Sequence, residues 1–173
     1  MPLNKYAPQV ATHRRTQYAI LEATKELIAT TGLKKMSMIE IADVSQVSRA
    51  TLYNHYRDKD SVLLALCESE LARLVEIAQN APDATSALEQ ISVQVSSDPA
   101  LAAMRVQDPD QLALALTKHD DHLWKAFAIA LTHLLGEGKS ALVLRWLLGQ
   151  ALYPINAQQS RAQAEAITGI ANL

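Results

Sequence analysis

Between Ser48 and Lys59 the chain concentrates side chains that suit contact with the bases of double-stranded DNA. Arg49 can donate two parallel hydrogen bonds to guanine, Asn54 can pair in the same way with adenine, and Ala50 can contact the methyl group of thymine. We therefore expect these three residues to read base sequence.

A second group of side chains suits the phosphate backbone, because hydroxyl, phenol and ammonium groups donate hydrogen bonds or charge to phosphate oxygens and so position a protein without reading sequence. We assign to this group Ser48, Thr51, Tyr53 and Lys59. Ser37, at a predicted helix start with exposed amides, also suits a phosphate. His55 suits a phosphate or a base.

Some of these residues, and others near them, could have a purely structural role or simply be exposed to solvent. Tyr53 and Tyr56 could simply pack in a core, which we expect for Tyr56 more than for Tyr53, and Arg49 could be a solvated arginine at a helix start. The basic run His13–Arg15 could likewise be a solvated helix end, or it could reach an anionic backbone.

The local pattern predicts two short helices that would position these side chains. Ser37 and Glu40 form a capping box, which starts one helix near Met38 and lets it end near Ser45. Ser48 can cap a second helix over residues 49–56. With Ile41, Ala42, Val47 and Leu52 as inward anchors, the pattern is that of a helix-turn-helix.

Other helices are predicted on both sides of this motif. A supporting helix runs from Thr12 or His13 to Thr30, with Gly32 as its C-cap, after a flexible arm over residues 1–12. Further helices are predicted over residues 61–80, 83–96, 101–106, 110–135, 139–153 and 158–173. The range 110–135 could be one helix or two. Five glycines in 173 residues fit an all-α fold.

Residues 14–66 resemble the TetR family of bacterial transcriptional regulators, most specifically through the run VSRATLYNHYRDKDSVL. The resemblance implies phosphate contacts most strongly for Thr51, Tyr53 and Lys59. Ile28 and Leu33 stand where the family commonly has aromatic residues. Gln46 stands at the usual turn glycine, so it would have to accept a left-handed backbone.

The resemblance divides the chain into a DNA-binding domain over residues 1–59 and a helical ligand-binding and dimerisation domain over residues 60–173, a body that looks short for the family. A helix-turn-helix reads few base pairs, so a homodimer is expected. We expect its interface at Leu142, Trp146, Ala162, Ala166, Ile170 and Leu173, although both helices could instead be the core of a monomer.

Candidates for a ligand pocket are weaker, because each is more often a core residue. They are Cys67, Met104, Trp124, Phe127, His133 and Trp146. His119 and His122 could share a helix face and hold a metal, but a solvated acidic helix start explains the segment better. We expect no metal and no cofactor.

Composition narrows the class of protein. A single cysteine and an N-terminus without an apolar signal segment fit the cytoplasm, and no apolar run is long enough to span a membrane. Residues 1–60 carry a net charge of +3 and residues 61–173 a net charge of −5, which leaves a positive module compatible with DNA. No catalytic pattern is visible, so we do not expect an enzyme.

These observations predict a transcriptional regulator that binds DNA sequence-specifically. The most favoured form is a homodimeric repressor on a palindromic operator, released by an unknown small-molecule effector. The alternative is a DNA-binding protein of the same fold that is controlled by a protein partner and has no ligand pocket.

Overall fold

A computed structural model describes the backbone of residues 7–117 and 122–169, and every regular element in these ranges is an α-helix. The helices are α1 (Ala7–Thr31), α2 (Met38–Val44), α3 (Arg49–His55), α4 (Lys59–Asn80), α5 (Ala84–Ser97), α6 (Pro99–Gln107), α7 (Pro109–Thr117), α8 (His122–Leu135), α9 (Glu137–Leu152) and α10 (Ala157–Gly169). The chain divides between Leu66 and Cys67 into two compact units.

Helix α1 supports the first unit and begins earlier than the sequence predicts. The expected flexible arm is wrong for residues 7–12, which are helical, and Pro8 lies in the first turn, where its missing N–H costs nothing. Ile20 and Leu27 are buried, and the buried Thr24 hydroxyl donates to the carbonyl of Ile20. Gly32, with φ of 92°, ends the helix as predicted.

Helices α2 and α3 form the predicted helix-turn-helix. Ser37 and Glu40 make the expected capping box at the start of α2, and Ser48 accepts a hydrogen bond from the Thr51 amide at the start of α3. Ile41 and Leu52 are fully buried, so one side of each short helix is fixed against the core of the first unit.

The turn between α2 and α3 is a Schellman motif, in which the Val47 amide donates to the carbonyl of Ala42 and the Gln46 amide donates to that of Asp43. Gln46 occupies the left-handed position of this motif with φ of 56°. The backbone strain predicted for this residue is therefore present, because a side chain is disfavoured where glycine is usual.

The second unit has one apolar core between α5, α8, α9 and α10, with α4 contributing from its middle. Its most buried members are Leu88, Ile91, Phe127, Leu131, Val143 and Ala164. Leu71, Leu74 and Ala78 of α4, spaced by three and four residues, lie in this core or pack against it. At the start of α4 the buried residues are Val62 and Leu66, and Cys67 is exposed.

A buried polar cluster joins three helices of the second unit. The Gln150 amide group of α9 lies 2.8 Å from the Ser92 hydroxyl and 3.1 Å from the Ser96 hydroxyl, both on α5. The Ser92 hydroxyl also lies 2.7 Å from that of Ser160 on α10. Because an unpaired polar group in a core is costly, this cluster favours one register of α5, α9 and α10.

We predict that Gln46→Gly raises the free energy of unfolding by about 1 kcal/mol, because glycine adopts the left-handed backbone without steric cost. Urea denaturation measures the change. Gln46→Ala is the matched control and should bring no gain, since alanine keeps the Cβ atom. A glycine variant no more stable than the alanine variant would contradict the assignment of strain to this turn.

Candidate nucleic-acid interface

Helix α3 presents two rows of exposed side chains. Arg49 and Tyr53 form one row and Ala50 and Asn54 the other, each pair one helical turn apart. Tyr53 is 52% exposed, so the alternative that it packs in the core is wrong. The structure thus brings together the three predicted base-reading residues and one phosphate-contacting residue on the outer face of one helix.

The inner side of α3 holds this face in place. Leu52 is fully buried, and Tyr56, the C-cap residue, is 8% exposed, so Tyr56 packs as expected. The Tyr56 amide donates to the carbonyl of Leu52 and closes the last turn.

At the start of α3 the hydroxyls of Ser48 and Thr51 lie 2.8 Å apart and share one hydrogen bond. The Ser48 oxygen also accepts from the Thr51 amide. Ser48 therefore serves first as the helix cap. Because either hydroxyl can supply the shared proton, the other hydroxyl keeps its proton for a phosphate oxygen.

Ser37 is less suited to a phosphate than the sequence suggests. Its hydroxyl donates to the carboxylate of Glu40 at 2.7 Å and accepts from the Glu40 amide at 3.3 Å. A serine has one proton to donate, and the adjacent carboxylate would repel a phosphate. The structure thus gives Ser37 the role of capping α2.

Lys59 has a structural role that the sequence does not suggest. Its ammonium group donates to the backbone carbonyls of Leu33 and Met36, the latter at 2.8 Å, in the loop between α1 and α2. Two of its three protons are therefore committed, and one remains for a phosphate. The contacts span 26 and 23 residues of sequence, and no local pattern signals them.

The start of α4 beside Lys59 is fixed by Asp58. The Ser61 amide donates to the Asp58 carboxylate at 2.9 Å, and the Arg57 guanidinium donates to it at 2.9 Å. These hydrogen bonds, that of the Ser61 amide first, hold the pKa of Asp58 below its usual value. Asp58 is thus charged and engaged within its own loop.

His55, the last residue of α3, stacks on His13 of α1, with ring centroids 4.2 Å apart and an angle of 20° between the planes. His13 is exposed and His55 is partly buried. Burial, and secondarily the nearby His13, lower the pKa of His55. The two histidines are far apart in sequence, and only the structure brings them together.

The predicted ligand-pocket residues separate into two groups. Trp124, Phe127 and Trp146 belong to the core of the second unit or pack against it, and Met104 is partly buried on α6. Cys67 and His133 are exposed, so the prediction that they line an internal pocket is wrong. Both lie on helix faces that the core of the second unit does not cover.

Three of the predicted interface residues lie on the outer faces of α9 and α10, and the fourth that the structure describes, Trp146, also packs against the core of the second unit. Leu142 is 37% exposed, Ala162 and Ala166 are exposed, and Trp146 is partly buried. The Trp146 indole N–H donates to the Gln163 side chain at 2.5 Å and so links the two helices. Ile170 and Leu173 lie outside the described residues.

Two further features bear on the kind of site. Among the described residues, no three His, Cys, Asp or Glu side chains come close enough together to hold a metal ion. His119 and the His122 side chain lie outside that set. Within the same described ranges, no helix has the length and apolar character needed to cross a membrane.

The sequence model of one protein family, the bacterial regulatory proteins of the tetR family, matches residues 20–66, which include α2 and α3. No curated protein sequence matches it. Three solved structures share its fold at 15–18% identity.

The TetR family repressor AlkX of a Dietzia species aligns with a TM-score of 0.64 at 18% identity, over 86% of this chain and 93% of that one. GusR of Salmonella enterica gives 0.60 at 18%, over 90% and 96%. The Bacillus subtilis regulator FadR, solved in complex with stearoyl-CoA, gives 0.53 at 15%, over 87% and 95%. These regulators are covered almost completely, so the expectation of a short body is wrong relative to them.

We predict that Lys59→Met lowers the free energy of unfolding by about 1–3 kcal/mol, because two loop carbonyls lose a charged donor. Thermal or urea denaturation without DNA measures the loss. Lys35→Met, which removes an exposed lysine from the same loop, is the matched control and should change stability little. Equal stability of the two variants would contradict the structural role of Lys59.

Proposed function

We propose that the chain is a repressor of the TetR family of bacterial transcriptional regulators, whose family model matches residues 20–66, and that it binds a palindromic operator as a homodimer and is released by a small molecule. The observation that carries the proposal is the outer face of α3, where Arg49, Ala50, Tyr53 and Asn54 are exposed together on a helix held by buried Leu52.

Within this proposal α3 enters the major groove. Arg49 would pair with guanine and Asn54 with adenine, while Ala50 would contact a thymine methyl group. Tyr53, Thr51 and the remaining proton of Lys59 would contact phosphates on either side and fix the register of the helix on the duplex. Ser48 and His55 would contact DNA from the two ends of α3. Ser37 would support DNA binding indirectly, through the capping of α2.

Dimerisation is proposed through α9 and α10. A single α3 reads too few base pairs to select one site, whereas two copies related by a two-fold axis read two half-sites. Leu142 and Trp146 supply apolar area on α9, and Ala162 and Ala166 are small enough for close approach of a second α10. This surface belongs to the second unit.

Control by a small molecule is proposed for the second unit, where Trp124, Phe127 and Trp146 gather at one apolar core. Because FadR was solved with stearoyl-CoA, long-chain acyl-CoA thioesters are the first class to test. A regulator that binds DNA would act in the cytoplasm. Control by a protein partner is the alternative.

Selection of bound fragments from random and genomic DNA with the purified protein tests the proposal. Enrichment of a palindrome, bound by two chains and released by a metabolite, is the expected result. A palindrome that no metabolite displaces would favour control by a protein partner. Failure to enrich any sequence would overturn the function as a DNA-binding regulator.

We predict that Arg49→Ala lowers the preference for one base pair in each half-site by about 1–3 kcal/mol, because a bidentate contact is lost. Tyr53→Phe should instead weaken binding to all sequences, because it removes a phosphate contact. Titrations of the selected operator and its single-base variants separate the two effects. A uniform loss of affinity for Arg49→Ala would refute its role in reading bases.

A further inference from the structure

The contact between His13 and His55 joins the first half of α1 to the last residue of α3. The rings are nearly parallel with centroids 4.2 Å apart, and the sequence separation of 42 residues makes this a tertiary contact. His13 is exposed and His55 partly buried, so the His13–His55 stack borders solvent at the end of the helix that presents the candidate base-reading residues.

The charged residues next to the two histidines in sequence are mainly positive. Arg14 and Arg15 follow His13 in α1 and are exposed, and Arg57 follows α3 two residues after His55. Asp58, the nearest carboxylate in sequence, is held by Arg57 and by the Ser61 amide. Thr16 and Gln17, one turn along α1 from His13, and Thr51, one turn before His55, carry no charge. The neighbourhood therefore favours an anion.

We propose that the His13–His55 stack is a binding site for a phosphate of the DNA backbone, and that its occupation is coupled to the uptake of protons by the two imidazole rings. This assignment rests on the proposed function, since the phosphate belongs to the operator. Binding of a phosphate at the stack makes operator affinity depend on pH.

The coupling follows from repulsion between two nearby cations. In the free protein, protonation of one ring opposes protonation of the other, and the lowered pKa of His55 has this repulsion as its second cause, after burial. A phosphate beside both rings offsets the repulsion and accepts a hydrogen bond from each N–H. The rings then take protons from solvent, and no other bond forms or breaks.

The sign of the effect follows by linkage. Because the bound state holds more protons than the free state, operator affinity rises as the pH falls. Each proton taken up contributes about a tenfold gain in affinity per pH unit. Two stacks, one in each chain of a homodimer, would double the slope on a logarithmic scale.

Operator titrations at several pH values and constant ionic strength test the proposal. Wild-type affinity should rise at least about tenfold from pH 7.5 to 6.0, and His13→Gln and His55→Gln should each flatten most of that rise. Arg14→Gln is the matched control. It removes an exposed neighbouring charge that does not titrate in this range, so it should weaken binding equally at every pH.

Two results would overturn the proposal while leaving the regulator function intact. One is an operator affinity with the same pH slope in wild type and His13→Gln, an exposed substitution that the fold tolerates. The other is an operator affinity that falls as the solution becomes more acidic. That result would mean that the protonated rings repel each other and that no phosphate beside them offsets the repulsion. Lack of binding to any selected DNA at every pH would overturn this proposal together with the proposed function.

A measurement without DNA checks the coupling independently. Proton NMR titration of the His55 imidazole in the free chain should show its pKa rising when His13 is replaced by glutamine, because the repulsion from the His13 ring is removed. A His55 titration that His13→Gln leaves unchanged would contradict the coupling even if the chain binds its operator.

Discussion

A helix of seven residues is not stable by itself in water, and α3 is such a helix. Its shape depends on the burial of Leu52, which is fully covered, and on Tyr56, which closes its last turn. The Ser48 cap and the Schellman turn at Gln46 fix where α3 begins. Because all of these constraints act on one side, the opposite side is left to polar residues that face solvent.

Because short helices need such support, several polar residues of the first unit make hydrogen bonds within the fold in addition to any contact with DNA. Ser37 and Glu40 satisfy each other at the start of α2. Lys59 uses two of its protons on carbonyls of the loop between α1 and α2 and so ties that loop to the start of α4. A phosphate contact from such a lysine comes from a side chain that is already oriented, so less conformational entropy is lost on binding.

The sequence was informative wherever the determining contacts are local. The capping box at Ser37, the cap at Ser48 and the unfavourable backbone of Gln46 depend on residues within a few positions of each other, and the structure has all three. The stack of His13 on His55 and the hydrogen bonds of Lys59 join distant segments and had no local signal. In the second unit, long apolar helices allow several registers, so the sequence placed exposed Cys67 and His133 in an expected pocket.

We propose that the outer face of α3, together with the beginning of α1, is the surface that contacts DNA. Backbone amide NMR of the labelled chain, recorded with and without a selected operator fragment, locates that surface. The largest shift changes should fall on residues 49–55 and around His13. Changes confined to α9 and α10, with α3 unaffected, would contradict this proposal.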